Sequence, residues 1–339
     1  MRRGAALRVI VIALLVAAIV TAVAIFIPWL PDQASSEADE IDFVFWFVTA
    51  ICVGVFAVVA GISIYAGIKF RARPDDDSDG PPVHGHTGLE ILWTAIPAVL
   101  VTAIAIVSTI ALARNDSLPD EHLRVHVIAQ QFTWRFEYPD HGELRSATLR
   151  LPVGRAAHLT MEARDVIHSF YVPEFRQKRD VVPGEVTNLI ITPTKTGDYT
   201  IQCAELCGLG HAAMLQKVEV VEQTAFDEWA EGRAEEMEEG GEVSGQAIFA
   251  EQGCGGCHTF GPAGSTAEQG PPLDNLPELA DRAGEPLDQF IRESIVNPDA
   301  YVERGYPNVM PPFDLPDEQL DALVEFLSGG AAEGGDGEL

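Results

Sequence analysis

The sequence contains few cysteines and few basic residues. Its 339 residues include five Cys, and 22 Lys and Arg stand against 51 Asp and Glu, giving a formal net charge of −29. Nucleic-acid binding depends on Lys and Arg that neutralise phosphates, so this charge balance excludes a nucleic-acid partner. A strongly acidic surface attracts cationic proteins. It also serves as an adaptation to salt, and the sequence leaves both interpretations open.

No disulfide framework is indicated, because four of the five cysteines fall in two motifs that suit metal or cofactor chemistry. Cys203 and Cys207 lie four residues apart, Cys254 and Cys257 lie three apart, and Cys52 stands alone in an apolar run. We interpret Cys52 as a small buried hydrophobic residue. The other four are left for metal or cofactor chemistry.

Long apolar runs are confined to the first third of the chain. The first extends from about Val9 to Leu30, after a basic N-terminus. Residues 1–40 therefore predict either a signal peptide or an additional transmembrane helix, followed by a connector. The only candidate for cleavage is weak, at Gln33-Ala34-Ser35, so the sequence does not decide between the two.

Two further apolar runs predict a transmembrane hairpin over residues 41–114, because each exceeds the ~20 residues that span a bilayer. The loop between them carries Lys69, Arg71 and Arg73. The positive-inside rule places this loop in the cytoplasm and everything after the hairpin outside.

The second hairpin helix begins at Thr87-Gly88-Leu89-Glu90, which has the spacing of a capping box. Glu90 therefore has a structural role available. An ionisable residue at the edge of a membrane helix is also a functional candidate, and the two roles are compatible. His84 and His86, in the preceding loop, are predicted to be solvated.

Residues 115–222 change to a period of two. Trp134, Phe136 and Tyr138 alternate with polar residues, which indicates a half-buried strand. Further short β-rich runs separated by turn signals predict an antiparallel sandwich. These runs lie at 157–161, 185–191, 198–203 and 215–221.

One loop of this region is rich in soft metal ligands. Cys203, Cys207, His211 and Met214 lie within twelve residues, and His168 is available from an earlier connection. Thiolate, imidazole and thioether donors favour copper. Because a thiolate can bridge two metals, the two cysteines predict a copper pair. The alternatives are a Cys203–Cys207 disulfide on an exported domain and a closed Cys2His2 zinc site.

Residues 223–244 are dominated by Glu and predict an acidic linker, with a frayed helix at 225–239. Such a tether would hold the next domain at high local concentration. At the other end of that domain, residues 331–339 predict a disordered acidic tail.

Residues 245–330 contain Cys254-Gly255-Gly256-Cys257-His258, the signature of covalent c-type haem attachment. His258 is the predicted proximal ligand. Met310, within a proline-rich loop that cannot form a helix, is the predicted sixth ligand, and a His/Met pair raises the haem potential. Apolar residues before the motif and near the C-terminus predict two packing helices.

Together these motifs resemble subunit II of cytochrome c oxidase. The resemblance is carried by Asp165-Val166-Ile167-His168-Ser169-Phe170, by Pro173-Glu174-Phe175 and by the loop from Cys203 to Met214. With the haem motif, the chain is similar to caa3-type members that have a fused cytochrome c domain. The resemblance implies N-terminal transmembrane helices, an all-β cupredoxin-like sandwich and a C-terminal all-α class I cytochrome c domain.

The resemblance also implies site residues. Glu205 would ligate copper through its carbonyl and reach a magnesium or manganese ion at the border with subunit I through its side chain. Glu90 matches a proton-uptake glutamate. Phe132 and Trp134 match an aromatic patch for electron entry, although the family often has Trp in place of Phe132. The implied ligands of the dinuclear copper centre, CuA, are His168, Cys203, Glu205, Cys207, His211 and Met214.

The implied function is electron relay. Electrons would enter at haem c, pass to CuA and leave for a haem in subunit I, where oxygen is reduced to water with proton translocation. The implied partners are subunits I and III, membrane lipid and an external donor, such as a cytochrome or the quinol:cytochrome c reductase complex. The implied location is the exterior face of the cell membrane.

The sequence has no run of membrane His ligands for an oxygen-reducing site, so the chain alone is predicted to be a relay. Two other functions stay open. One is a relay of the same build for a copper-containing nitric oxide reductase, and the other is a membrane-anchored binding or scaffold protein with zinc or a disulfide.

Overall fold

The computed structural model of the protein describes residues 3–71, 82, 84–142, 144–238 and 244–334. Arg73, residues 239–243 of the predicted linker and residues 335–339 of the predicted tail lie outside this set. The chain forms two compact units. The first comprises Met1–Asp32 and Ala38–Asp116, and the second comprises Gln33–Glu37 and Ser117–Leu339.

The first unit consists of three long helices, α1 (Arg3–Phe26), α2 (Glu37–Lys69) and α3 (Thr87–Asn115). Each is long and apolar enough to cross a membrane. Pro97 lies inside α3, a position that transmembrane helices tolerate. The predicted hairpin helices are therefore present as α2 and α3, and α1 is a third candidate span. Cys52, which was predicted to be buried, is exposed on α2 in this structure.

The first turn of α3 differs from the predicted capping box. His86, not Thr87, is the N-cap, and its Nδ1 accepts a hydrogen bond from the Leu89 N–H at 3.3 Å. Glu90 Oε1 accepts the His86 backbone N–H at 3.0 Å. His86 thus has a structural role that the expectation of simple solvation missed, because an imidazole nitrogen can replace the usual hydroxyl acceptor.

The second unit begins with a β-sandwich. Its two five-stranded sheets have the orders β3-β2-β1-β5-β8 and β4-β10-β9-β6-β7. The strands are β1 (Leu123–Gln130), β2 (Thr133–Tyr138), β3 (Leu144–Ser146), β4 (Leu149–Pro152), β5 (Ala157–Ala163), β6 (His168–Tyr171), β7 (Lys178–Val181), β8 (Thr187–Ile191), β9 (Gly197–Cys203) and β10 (Leu215–Val221).

The sandwich is not wholly antiparallel, contrary to the prediction. β1 runs parallel to β5 and β4 runs parallel to β10. Strands joined by tight hairpins are antiparallel, but these two pairs are joined through intervening strands, and such crossovers permit parallel pairing. The predicted alternation is confirmed, since Trp134, Phe136 and Tyr138 are all completely buried in the core.

A short connector before α2 packs against the sandwich. Ala34 and Ser35 are buried, and Ser35 Oγ donates to the Phe175 carbonyl at 3.1 Å. The Glu37 carboxylate accepts the Thr192 N–H at 3.0 Å. Residues 33–37, which we name the strap, therefore belong to the folded domain and are more than a connector.

The predicted acidic linker begins as a regular helix, α4 (Gln223–Glu238). Phe226 and Ala230 are buried against the sandwich, and the Trp229 ring lies 5.3 Å from the Tyr138 ring. The Arg150 guanidinium stacks 4.7 Å above Trp229. Apolar residues at i, i+3 and i+4 dock this helix despite its acidic composition, so this part of the predicted linker is not a free tether.

The last part of the chain is a small helical domain with α5 (Gly245–Glu251), α6 (Leu276–Ala283), α7 (Leu287–Val296) and α8 (Asp317–Gly334). Two-residue strands β11 (Thr259–Phe260) and β12 (Ser265–Thr266) pair near its start. Its own hydrophobic core is separate from that of the sandwich. Because α8 runs to Gly334, the first four residues of the predicted tail are helical.

Candidate functional site

The cysteine-rich loop is held at both ends by the hairpin of β9 and β10. The Cys203 N–H donates to the Met214 carbonyl at 3.2 Å, and the ladder continues through the pair Gln202 and Leu215. β6 lies on the other side of β9 and begins with His168. The loop and the distant histidine are thereby brought together.

The side chains form two adjoining donor pairs. Cys203 Sγ lies 3.9 Å from His168 Nδ1, and Cys207 Sγ lies 3.6 Å from His211 Nδ1. The two sulfurs are 3.8 Å apart. Met214 Sδ is 3.8 Å from Cys207 Sγ. The loop thus presents two thiols between two imidazoles, with a thioether beside one of them.

Glu205 contributes differently through its backbone and its side chain. Its carbonyl oxygen lies 3.1 Å from Cys203 Sγ, which places that oxygen within the donor set. Its side chain is exposed.

The distances between these side chains distinguish the three hypotheses for the loop, which are a disulfide, a zinc site and a copper pair. A disulfide requires sulfurs about 2.05 Å apart, so the 3.8 Å separation excludes one in this structure. His168, Cys203 and Cys207 offer ligand atoms within 4.8 Å of one another, and His211 is not in that group. A single tetrahedral zinc with all four ligands is therefore not preformed. Metal–thiolate bonds are about 2.3 Å, so two metals can each contact both sulfurs, and the residues fit a copper pair.

The two thiols differ in acidity without metal. Burial alone would raise the pKa of Cys203. Hydrogen bonds with the His168 side chain and with the backbone of Ser169 and Glu205 outweigh burial and lower that pKa to about 6. Burial, followed by repulsion from Cys203, raises the pKa of Cys207 to about 12. One thiolate is therefore ready at neutral pH, and metal binding must displace the second proton.

Asp165 supports the buried histidine. Its Oδ1 lies 2.8 Å from His168 Nε2. Burial lowers the pKa of His168, but the contacts with Cys203 and Asp165 raise it further, so the net shift is upward. A carboxylate on the outer nitrogen orients an imidazole so that its other nitrogen faces the metal.

The two predicted entry aromatics occupy different environments. Trp134 is completely buried, and its ring packs edge-on at 6.1 Å from the His168 ring. A ring without exposed surface cannot meet a soluble donor, so Trp134 does not fit the predicted entry role. Phe132 is only partly buried and packs against the sandwich core.

The C-terminal domain contains a largely apolar cavity. Cys254, Cys257 and His258 line it, and Met310 lies on its wall as well. The remainder is mainly aliphatic and aromatic, including Leu276, Phe290, Ile291 and Leu323. All four predicted haem residues therefore face one apolar space, which fits a flat hydrophobic macrocycle.

His258 is already oriented for an axial ligand. Its Nδ1 lies 2.8 Å from the Pro271 carbonyl, so with Nδ1 as the donor, Nε2 is free for iron. Burial lowers the pKa of His258 and keeps the ring neutral. Burial also raises the pKa of Cys254 to about 12, so that thiol stays protonated until it reacts.

Gly270 packs against the His258 ring, and a Cβ there would lie 2.4 Å from its Cε1. We expect Gly270→Ala to displace the imidazole and to destabilise the domain by about 1–3 kcal/mol, the usual cost of overpacking. The measurement is the yield of covalent haem and the thermal unfolding of the haem domain. Gly256→Ala is the control, because that position has open space. Equal haem yield and unfolding temperature in both variants would contradict the prediction.

The motifs alone did not identify Gly270 or Pro271, or a role for Asp165. Gly270 and Pro271 contact His258 from twelve and thirteen positions later in the chain. Only the spacing of Asp165 three residues before His168 gives a local signal.

Known families match most of the chain. “Cytochrome C oxidase subunit II, transmembrane domain” matches residues 20–110, and the periplasmic domain of the same subunit matches 145–221. “Cytochrome c” matches residues 243–330. These ranges agree with the helices, the sandwich and the haem domain described above.

Individual proteins are similar over most of their length. The cytochrome c oxidase subunit 2 of Alkalihalophilus pseudofirmus is 35% identical over 285 residues, covering 80% of this chain and 82% of that protein. That of Bacillus subtilis is 30% identical over 296 residues, covering 80% and 83%. A crystal structure of the periplasmic domain of subunit II of cytochrome oxidase from Bradyrhizobium japonicum is 29% identical, covering 35% of this chain and 99% of that one, with a TM-score of 0.34.

Proposed function

Because this chain belongs to the cytochrome c oxidase subunit 2 family, we propose that it is the electron-relay subunit of a caa3-type oxidase. Electrons enter at the haem domain, cross to the copper loop and leave for subunit I, which reduces oxygen to water with proton translocation. The observation that carries this proposal is the shared wall between the two sites. Phe132, which packs on the copper domain, also lines the cavity of Cys254, Cys257 and His258.

The copper centre would be held by the two thiolates, the two imidazoles, the thioether and one carbonyl. When bound, the copper pair and the haem each supply a site that gains and loses one electron. The chain orients the ligands, through Asp165 on His168 and Pro271 on His258. It also excludes water, since His168 and Met214 are completely buried. The residues that would hold the copper pair are His168, Cys203, Glu205, Cys207, His211 and Met214.

The haem would be attached through Cys254 and Cys257, with His258 and Met310 as axial ligands. The exposed carboxylate of Glu205 is available to a magnesium or manganese ion shared with subunit I. Subunit III and an external donor, a cytochrome or the quinol:cytochrome c reductase complex, complete the assembly. The copper and haem domains lie on the exterior face of the cell membrane, where metal and haem are inserted.

Glu90 is proposed to admit protons in the assembled oxidase as well as to close the α3 cap. Glu90→Gln separates these roles, because an amide oxygen can still accept the His86 N–H but the side chain cannot titrate. We expect slower proton uptake, measured in vesicles with a pH indicator, and unchanged assembly. Glu90→Asp is the control that keeps the acid. Proton uptake at the wild-type rate in Glu90→Gln would show that Glu90 serves only as part of the helix cap.

The proposed function is tested on the full-length chain, purified in detergent with haem attached and copper loaded. We expect two coppers per haem, and an electron paramagnetic resonance spectrum with the seven-line pattern of one electron shared by two coppers. After photoreduction of the haem, copper should be reduced at a rate independent of protein concentration. One copper, zinc or a second-order rate would contradict an internal relay.

A further inference from the structure

The turn between β1 and β2 is bonded to both halves of the copper site. The Gln131 backbone N–H donates to Asp165 Oδ2 at 2.7 Å, and Asp165 in turn contacts His168. The Gln131 side-chain amide donates to the Cys207 carbonyl at 2.5 Å. Gln131 therefore ties the turn both to the aspartate that supports the buried histidine and to the backbone of Cys207.

The loop is shaped to receive this turn. A Cβ at Gly210 would lie 2.5 Å from the Phe132 ring, and one at Gly208 would lie 2.7 Å from the Gln131 amide nitrogen. Gly208 also has φ +134, which side-chained residues rarely adopt. The absence of side chains at both positions allows the turn to lie directly on the copper loop.

The opposite side of the same turn contacts the haem domain. Gln131, Phe132 and Thr133 all line the haem cavity. A Cβ on Gly253, the residue before Cys254, would lie 2.1 Å from Thr133 Oγ1. That hydroxyl is buried and finds no hydrogen-bond partner within the described part of the chain. Burying a hydroxyl without a partner costs free energy. The short distance from Gly253 to Thr133 shows that the two domains are in direct contact at this point.

We propose that Gln131 is a positioning residue that locks the turn Gln131–Thr133 onto the copper loop and so fixes the distance between that loop and the haem cavity that the turn also lines. The inference rests on the proposed function. One electron crosses the contact and no bond forms or breaks, so the haem domain is oxidised by one equivalent and the copper domain is reduced by one. Electronic coupling decays steeply with distance, so a turn released from Cys207 would slow the transfer without changing either set of ligands.

The test uses the full-length chain with Gln131→Leu, which keeps the size of the side chain but removes its donor. Gln130→Leu, the same change one residue earlier in β1, is the control. Loss of one hydrogen bond costs about 0.5–1.5 kcal/mol, so hydrogen exchange of the amides at 204–211 should accelerate by up to roughly tenfold. Transfer from haem to copper after photoreduction should slow, while the copper:haem ratio and the haem spectrum stay unchanged.

Thr133→Leu tests the other side of the contact. It leaves both bonds of Gln131 in place but adds bulk against Gly253, so electron transfer should slow while exchange at 204–211 keeps its wild-type rate. Wild-type transfer in both Gln131→Leu and Thr133→Leu would overturn the inference. If wild-type protein itself shows no internal transfer or lacks two coppers, the proposed function fails instead.

Discussion

Substitution of Cys207 by serine is expected to abolish the dinuclear copper signal and to reduce the copper content from two ions to at most one per chain. Cys207 Sγ lies 3.8 Å from Cys203 Sγ and within 3.8 Å of both His211 Nδ1 and Met214 Sδ. It is the atom that joins the two donor pairs. A serine hydroxyl is a hard, neutral donor at neutral pH and does not replace a soft bridging thiolate.

The copper content is measured by elemental analysis, and the signal by electron paramagnetic resonance. Cys52→Ser, in α2, is the matched control and should keep two coppers and the seven-line pattern. The haem spectrum of Cys207→Ser should equal that of wild type, because the haem domain has its own core. A seven-line spectrum in Cys207→Ser would show that one thiolate suffices and that the dinuclear assignment is wrong.

Substitution of Met310 by alanine should leave haem covalently bound but lower its reduction potential. The two cysteines and His258 are untouched, so attachment persists. Loss of a thioether ligand should lower the potential on the order of 0.1 V or more, within the ~0.8 V range over which axial ligands tune haem. Potentiometric titration followed at the haem absorbance measures the shift.

A matched control is available for this variant too. Met237→Ala lies in α4 and should leave both the potential and the spectrum at their wild-type values. Reduction of the haem by an external donor should slow in Met310→Ala, because a haem with a lower potential accepts an electron less readily, whereas transfer from haem to copper gains driving force. An unchanged haem spectrum in Met310→Ala would show that another residue is the sixth ligand.

The sequence was informative where chemistry depends on short spacing. Cys203 to Met214 and Cys254 to His258 are local motifs, and the fold brings each together as predicted. The long-range partners, His168 and Met310, were predicted from residue type and position, and they lie at the copper loop and on the haem cavity wall. Strand alternation predicted the buried face of β2 for the same reason, since a period of two is a local property.

Other features depend on packing between distant segments. The docking of Phe226 was hidden because nine of the sixteen residues of its helix are polar, and its apolar stripe matters only next to Tyr138. The contact of Trp134 with the His168 ring depends on the second sheet, and a pattern within one strand does not report that. His86 acts as a cap because of its geometry, since the sequence rule favours small hydroxyl or carboxylate side chains at that position.

The strap limits when the copper domain can complete its fold during synthesis and membrane insertion. Residues 33–37 bond to partners near Phe175 and Thr192, about 140 to 155 positions later, and the intervening chain includes α2 and α3. The domain therefore completes its fold only after both helices have been synthesised and the strap has reached the same side of the membrane. Any protease that removes α1 must cut before Ala34, because the Ala34 N–H and carbonyl both bond to the sandwich. An incorrectly inserted chain would lack this closure and expose its unfinished domain to quality-control proteolysis.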